Sequence, residues 1–139
     1  MKAQGRRTSM NARAAAFGLF ASLALLACSR DKSVGARAFI VAEPSNLDFG
    51  ARLEREATTL TVTIGNEGRA SLAISSLKIT GDRRGAFTLV DTLSGLDPGA
   101  YQQVVVRYTP PIGAGVDSAF LVIESNAENA PTSQIGLQG

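Results

Sequence analysis

The chain holds one cysteine, Cys28, and no histidine among its 139 residues. Without imidazole, no serine or cysteine nucleophile can be paired with the usual base, and the commonest metal ligand is missing. A serine or threonine nucleophile would need a lysine or a carboxylate beside it. Past Cys28 the only lysines are Lys32 and Lys78. Lys32 lies in a polar stretch. Lys78 stands between Leu77 and Ile79, which turns it to solvent on a strand. Glu54 and Glu56 share one face of an extended arm, as solvated acids do more often than an acid–base pair. Glu124, Asn126 and Glu128 in "ESNAEN" offer oxygen atoms. Calcium takes about six to eight oxygens from a closed loop, so a polar strand end and turn is the simpler reading. The residue inventory predicts no enzyme, no catalytic residue, no metal site and no cofactor.

Cys28 is explained by what precedes it. Residues 1–13 are polar and basic, and residues 14–27, "AAAFGLFASLALLA", carry no charge. That run is short of the roughly 20 residues that span a bilayer. A basic start, a short apolar run and small residues at its end form a secretory signal. A buried core helix would need a polar face and caps, and this run has neither. "LLAC", Leu25 to Cys28, resembles the bacterial lipobox. That resemblance implies cleavage between Ala27 and Cys28, diacylglycerol on the Cys28 sulfur and acylation of the new amino terminus. Membrane lipid is then the first partner. Acyl chains contribute about 0.8 kcal/mol per buried CH₂, and two or more chains anchor stably. Ser29 follows the cysteine in place of Asp, which favours the outer membrane under the best-known sorting rule. Met10 opens a second compact signal, so translation from Met1 or from Met10 stays open.

The net charge of +2 belongs to this leader. Lys2, Arg6, Arg7 and Arg13 precede Cys28, with no acid among them. After Cys28 ten Lys and Arg face twelve Asp and Glu, which is −2. That part has no basic footprint for nucleic acid.

From residue 29 to 42 the chain reads as a short tether, ending in "FIVA", a candidate edge strand. From Glu43 onward short β-rich runs alternate with Gly, Pro, Asn and Asp clusters. "TTLTVTIGN" alternates, with Leu60, Val62 and Ile64 facing in. "SLAISSLKIT" changes phase at Ser75 and Ser76, since Leu72 and Ile74 lie in one register and Leu77 and Ile79 in the other. A bulge at the serines accounts for the change. "GNEG", "GDRRG" and "DPGA" are turns or loops. "YQQVVVRYTP" puts Val104, Val106 and Tyr108 on one face. No helical period follows residue 28. The pattern predicts an all-β, immunoglobulin-like sandwich of about seven or eight strands.

The ordered motifs resemble the ASH/Hydin-type immunoglobulin-like family. They are Leu47 to Gly50 ("LDFG"), Asn66 to Gly68, Leu72 to Gly81, Phe87 to Leu89, Leu96 to Gly99, Tyr108 to Pro110, Leu121 to Asn126 and the closing Gly139. The match spans residues 43–139. It departs from the family at "ARLEREA", where Glu54 and Glu56 stand in place of a common Gly and imply a longer or more exposed hairpin. The resemblance implies an interaction or structural module that works through surfaces and strand edges, and no catalytic residues.

Three residues point to a partner surface. If Leu121 and Ile123 face the core, Phe120 and Val122 face outward, and Val105 is out of phase in the same way. Together they would form an exposed apolar patch. The expectation is a lipid-anchored lipoprotein of the cell envelope, facing the periplasm or the surface. Its partner would be another envelope protein. A carbohydrate- or peptidoglycan-binding module is the alternative, for which Tyr101 and Tyr108 are the only tyrosines. Arg83 and Arg84 could contact anionic lipid or polysaccharide, or simply be solvated.

Overall fold

The computed structural model describes residues 35–139. The signal segment, the Ala27–Cys28 junction and Lys32 lie outside the described residues. Nine strands follow in order: β1 (Ile40–Glu43), β2 (Asn46–Asp48), β3 (Thr58–Asn66), β4 (Leu72–Thr80), β5 (Phe87–Leu89), β6 (Gly95–Leu96), β7 (Tyr101–Tyr108), β8 (Ser118–Ser125) and β9 (Thr132–Gln138). They form two sheets. The first runs β1-β3-β7-β5 and the second β2-β9-β8-β4-β6. Every neighbouring pair is antiparallel except β2 with β9. The expected count of about seven or eight strands is close, and "FIVA", "TTLTVTIGN", "SLAISSLKIT" and "YQQVVVRYTP" supply β1, β3, β4 and β7. Strand β6 is two residues long and is embedded in what reads as a turn before Asp97-Pro98-Gly99.

The core lies between the sheets and follows the alternation. Val62, Ile64, Val104 and Val106 are buried on the first sheet, and Leu121, Ile123, Ile135 and Leu137 on the second. Burying such side chains contributes roughly 1.5–3 kcal/mol each. The register of β4 against β8 shifts between Ile74 and Ser76, so the bulge sits at the two serines. It lets Leu72 and Ile74 face the core before it, and Leu77 and Ile79 after it.

The sandwich starts upstream of residue 43. Ala38 and Ile40 are core residues, and β1 pairs with the far end of β3, Ile40 opposite Asn66. The boundary drawn at residue 42 therefore cuts through a strand. "ARLEREA" is not a hairpin. β2 and β3 belong to different sheets, and residues 51–57 carry the chain across between them.

Candidate interaction surface

The strand registers set up two ends. Thr58 and Phe87 both lie opposite Tyr108, Thr80 opposite Phe120, and Ser118 and Asp48 both opposite Gln138. The loops 49–57, 81–86 and 109–117 consequently gather at one end, the tip. The chain enters at residues 35–39 at the other end, the base.

The tip is built outward from aromatic rings. Phe49, Phe87 and Tyr108 form a buried triangle with centroids 4.9 to 5.7 Å apart. Gly139 closes over the Tyr108 ring so tightly that any side chain there would collide with it. The Tyr108 hydroxyl donates to Asp117 Oδ2 at 3.0 Å, and Asp117 is itself buried. Burial first, and then the Asp117 carboxylate, push the Tyr108 pKa above its ordinary value, because both disfavour a second anion. Asp117 also pairs with Arg84 at 3.2 Å, and the Arg84 guanidinium donates to the carbonyls of Ile112 and Gly113 at 3.2 and 2.8 Å. From the other side Gly113 N donates to Glu54 Oε1, and Arg55 N to the Pro110 carbonyl. Three loops are thus tied to the core through one ring, one carboxylate and one guanidinium.

What these bonds hold in place is apolar and exposed. Leu53 is 76% exposed, Val116 75%, Ile112 65% and Phe120 49%. Val116 and Phe120, with Asp82, Arg83 and Arg84, line a cleft of about 590 Å³. Scattered surface apolar residues are ordinary. Here three large ones stand on the tied loops at one end of the domain, with Phe120 of β8 beside Val116 in the cleft, a gathering of the kind that marks a contact surface.

The patch expected from sequence is only partly assembled. Phe120 is exposed, as its phase requires. Val122 also points away from the core but is 8% exposed, because it lies between Lys78 of β4 and Gln134 of β9. Long polar side chains on neighbouring strands cover a small one between them. Val105 is half-buried and belongs to the first sheet, whereas Phe120 and Val122 belong to the second. Their outward faces are opposite sides of the sandwich, so the three residues share no surface. The tip residues Leu53, Ile112 and Val116 were missed because they lie in loops, where strand phase says nothing.

The remaining candidates are placed as follows. Glu54 is tied to Gly113, and both Glu54 and Glu56 are in the exposed loop 51–57. Lys78 points to solvent and pairs with Glu124 at 3.3 Å. Asn126 accepts from Ala73 N and donates to the Ser71 carbonyl, and Glu128 pairs with Arg37. The three oxygen-bearing residues of "ESNAEN" thus have separate partners. Arg83 and Arg84 are both exposed, and Arg84 in addition pins the loop 109–117 through Asp117 and the Ile112 and Gly113 carbonyls.

The base is held by amides. Asn66 is fully buried, and its side chain makes four contacts with backbone. Oδ1 accepts from Gly68 N at 3.0 Å and Phe39 N at 3.4 Å. Nδ2 donates to the Ala70 and Leu96 carbonyls at 2.8 and 3.1 Å. Gly68 must be glycine, since a Cβ there would run into the backbone of Arg37 to Phe39. Asn129 accepts from Ile40 N and donates to the Ile40 carbonyl, standing in for a neighbouring strand. On the outer face of the first sheet Tyr101 lies over Gly65 and donates to Glu67 Oε1. That bond, with the Glu67 charge, raises the Tyr101 pKa.

No protein-family model matches the chain, and no curated protein matches it in sequence. Similarity appears among solved structures. A protein of unknown function from Porphyromonas gingivalis W83 is 24% identical with a TM-score of 0.62, over 73% of this chain and 46% of its own. The chain thus spans less than half of that protein. PapD-like domain 7 of human CEP192, an ASH/PapD-like domain, is 18% identical with a TM-score of 0.56, over 74% of this chain and 84% of its own. The fold is that of an ASH/PapD-like sandwich. The same architecture aligns with the VesB protease of Vibrio cholerae at 13% identity and a TM-score of 0.53, over 71% of this chain and 31% of that one. At such identities the likeness is one of fold.

Proposed function

We propose that this protein is an extracytoplasmic lipoprotein, anchored in the membrane through an acylated Cys28, whose sandwich is a non-catalytic docking module for another envelope protein. The observation that carries the docking reading is the tip. Ordering a loop costs conformational entropy, and a loop that is ordered while displaying apolar side chains has met that cost before any partner arrives. The lipobox-like "LLAC" and the basic, apolar leader support the anchor. Residues 29–35 can extend at most about 25 Å at roughly 3.6 Å each. The tether joins the sandwich at its base, and the tip is the opposite end of the sandwich.

A glycan-binding module would need an exposed aromatic platform. Tyr108 is buried, and Tyr101, 56% exposed with its ring over Gly65, is the one tyrosine left for such a platform. The tip favours a protein partner. The test is photo-crosslinking in cells from a photoreactive residue at Val116, compared with one at Arg69 near the base, in the native chain and in Cys28→Ala. One reproducible envelope protein captured from Val116 and absent from Arg69 is the expected result. Equal yields from both sites, or none, would overturn the tip as the docking surface. Retention of Cys28→Ala in the membrane fraction would overturn the anchor.

A further inference from the structure

Strand edges expose backbone N–H and C=O groups and are normally blunted. Along β1 the Ala38 carbonyl accepts from Glu128 N at 2.9 Å, Asn129 bonds both backbone groups of Ile40, and Pro44 follows. At β5, three residues long, Asp82 accepts from Ala86 N and Phe87 N at 3.0 and 2.9 Å. β2 and β6 are three and two residues long. Stretches of the longer strands are left one-sided, as at Thr58–Val62 of β3 and Thr132–Ile135 of β9, and β4 has a groove beside its own. Strand β4 has nine residues, β6 pairs only with Leu72 and Ala73, and Ile74 N donates to the Ser94 carbonyl. Beyond the bulge, Ser76 to Thr80 pair with β8 on one side and with no strand on the other.

The side chains along this open edge are unfinished in the same way. Leu77 and Ile79 face inward yet are only half-buried, as is Leu89 across the gap on β5. Leu77, Leu89 and Leu93 line a groove of about 320 Å³ edged by Ser75, Ser76, Thr92 and Ser94. Lys78, between the two inward residues, is on the outer face, where its ammonium already has Glu124 as a half-exposed partner.

We propose that the Ser76–Thr80 edge of β4 receives an extended strand from a partner protein, with aliphatic residues alternating with acidic ones. The unpaired backbone calls for backbone, which is the chemistry of strand addition. Leu77 and Ile79 call for aliphatic side chains at every second position of the incoming strand. Lys78 calls for a carboxylate opposite it on the other face. A second copy of this chain fits poorly. A two-fold antiparallel pairing over Ser76 to Thr80 is centred on Lys78 and puts the two ammonium groups directly opposite, which is destabilising. This edge is a second contact, separate from the tip loops, and its test does not depend on them.

The test uses the full-length protein in detergent with a capped peptide alternating valine and glutamate. Controls are the same peptide with N-methylated backbone amides and one with lysine for glutamate. Binding is read by calorimetry and located by amide hydrogen exchange. The expected result is slowed exchange at Leu77 to Thr80, loss of binding on N-methylation, and affinity falling roughly tenfold in Lys78→Glu, which in turn gains the lysine peptide. Equal binding of the N-methylated peptide, or protection confined to the loops around Ile112 and Val116, would overturn the edge while leaving the tip reading in place. Protection of Leu77 to Thr80 that rises with protein concentration in the absence of peptide would replace the foreign strand with a second copy. No binding of any peptide would also overturn the edge, and crosslinking from Val116 would still judge the docking module by itself.

Discussion

The two ends of the sandwich solve the same problem with different chemistry. At the base, Asn66 and Asn129 satisfy backbone groups with neutral amides, and the loops they hold fold back on the core. At the tip, a buried carboxylate and a guanidinium hold loops that carry Leu53, Ile112 and Val116 outward, beside Phe120 of β8. Amides inside a core serve the fold, since their bonds end on backbone. The tip relay also ends on backbone, at the Ile112 and Gly113 carbonyls, and the loop it fixes carries Ile112 and Val116 outward. The base exposes Phe39 and Tyr101 as well, so the two ends differ in how their loops are held, by neutral amides at one and by an ion pair at the other.

Substitutions can break this contrast. Asn66→Ala carries the largest expected effect. It leaves the buried Leu96 carbonyl and the part-buried Ala70 carbonyl without their donor, and we expect a loss of about 3 kcal/mol in urea unfolding. A loss below about 1 kcal/mol would mean that water replaces the amide. Arg84→Met comes next. Asp117 keeps Tyr108 but loses its cation, and partial exposure of Arg84 moderates the cost to about 2 kcal/mol. The sharper readout is local: hydrogen exchange of residues 112–116 should quicken while that of residues 66–70 stays unchanged. Uniform acceleration at both ends would erase the distinction between them.

Tyr108→Phe should cost about 1 kcal/mol at neutral pH by removing the bond to Asp117. Its sign with pH is specific. The folded protein holds the Tyr108 proton more tightly than the unfolded chain, whose tyrosine titrates near about 10. That contribution is whole below pH of about 10 and is lost as pH climbs through the raised folded value. The native protein should therefore lose stability more steeply in alkali than the phenylalanine variant, and parallel alkaline unfolding curves would refute the assignment. The smallest effect on stability is expected of Ile112→Ser combined with Val116→Ser. Both residues are exposed in loops, so unfolding should shift by no more than about 0.5 kcal/mol. The partner captured from the tip should nonetheless be lost. Retained capture with unchanged stability would move docking off the tip.

The strands were legible because alternation is a local signal. Val62 and Ile64, or Leu121 and Ile123, declare their face within a few residues, and even the bulge shows as the phase change at Ser75 and Ser76. The all-β class and the face of the core strand residues follow from that period. Other features are not written locally. Val105 and Phe120 look alike in phase, but only the division of strands between two sheets shows that they lie on opposite sides. Val122 looks exposed until Lys78 and Gln134 flank it. Asn66 reads as a turn residue, and its burial appears only when Phe39, Ala70 and Leu96 converge on it from distant positions. The open edge of β4 and the relay from Tyr108 through Asp117 and Arg84 to Ile112 are likewise tertiary facts. Each depends on which segments become neighbours, and a periodicity of two carries a strand's own faces but not the identity of the chain beside it.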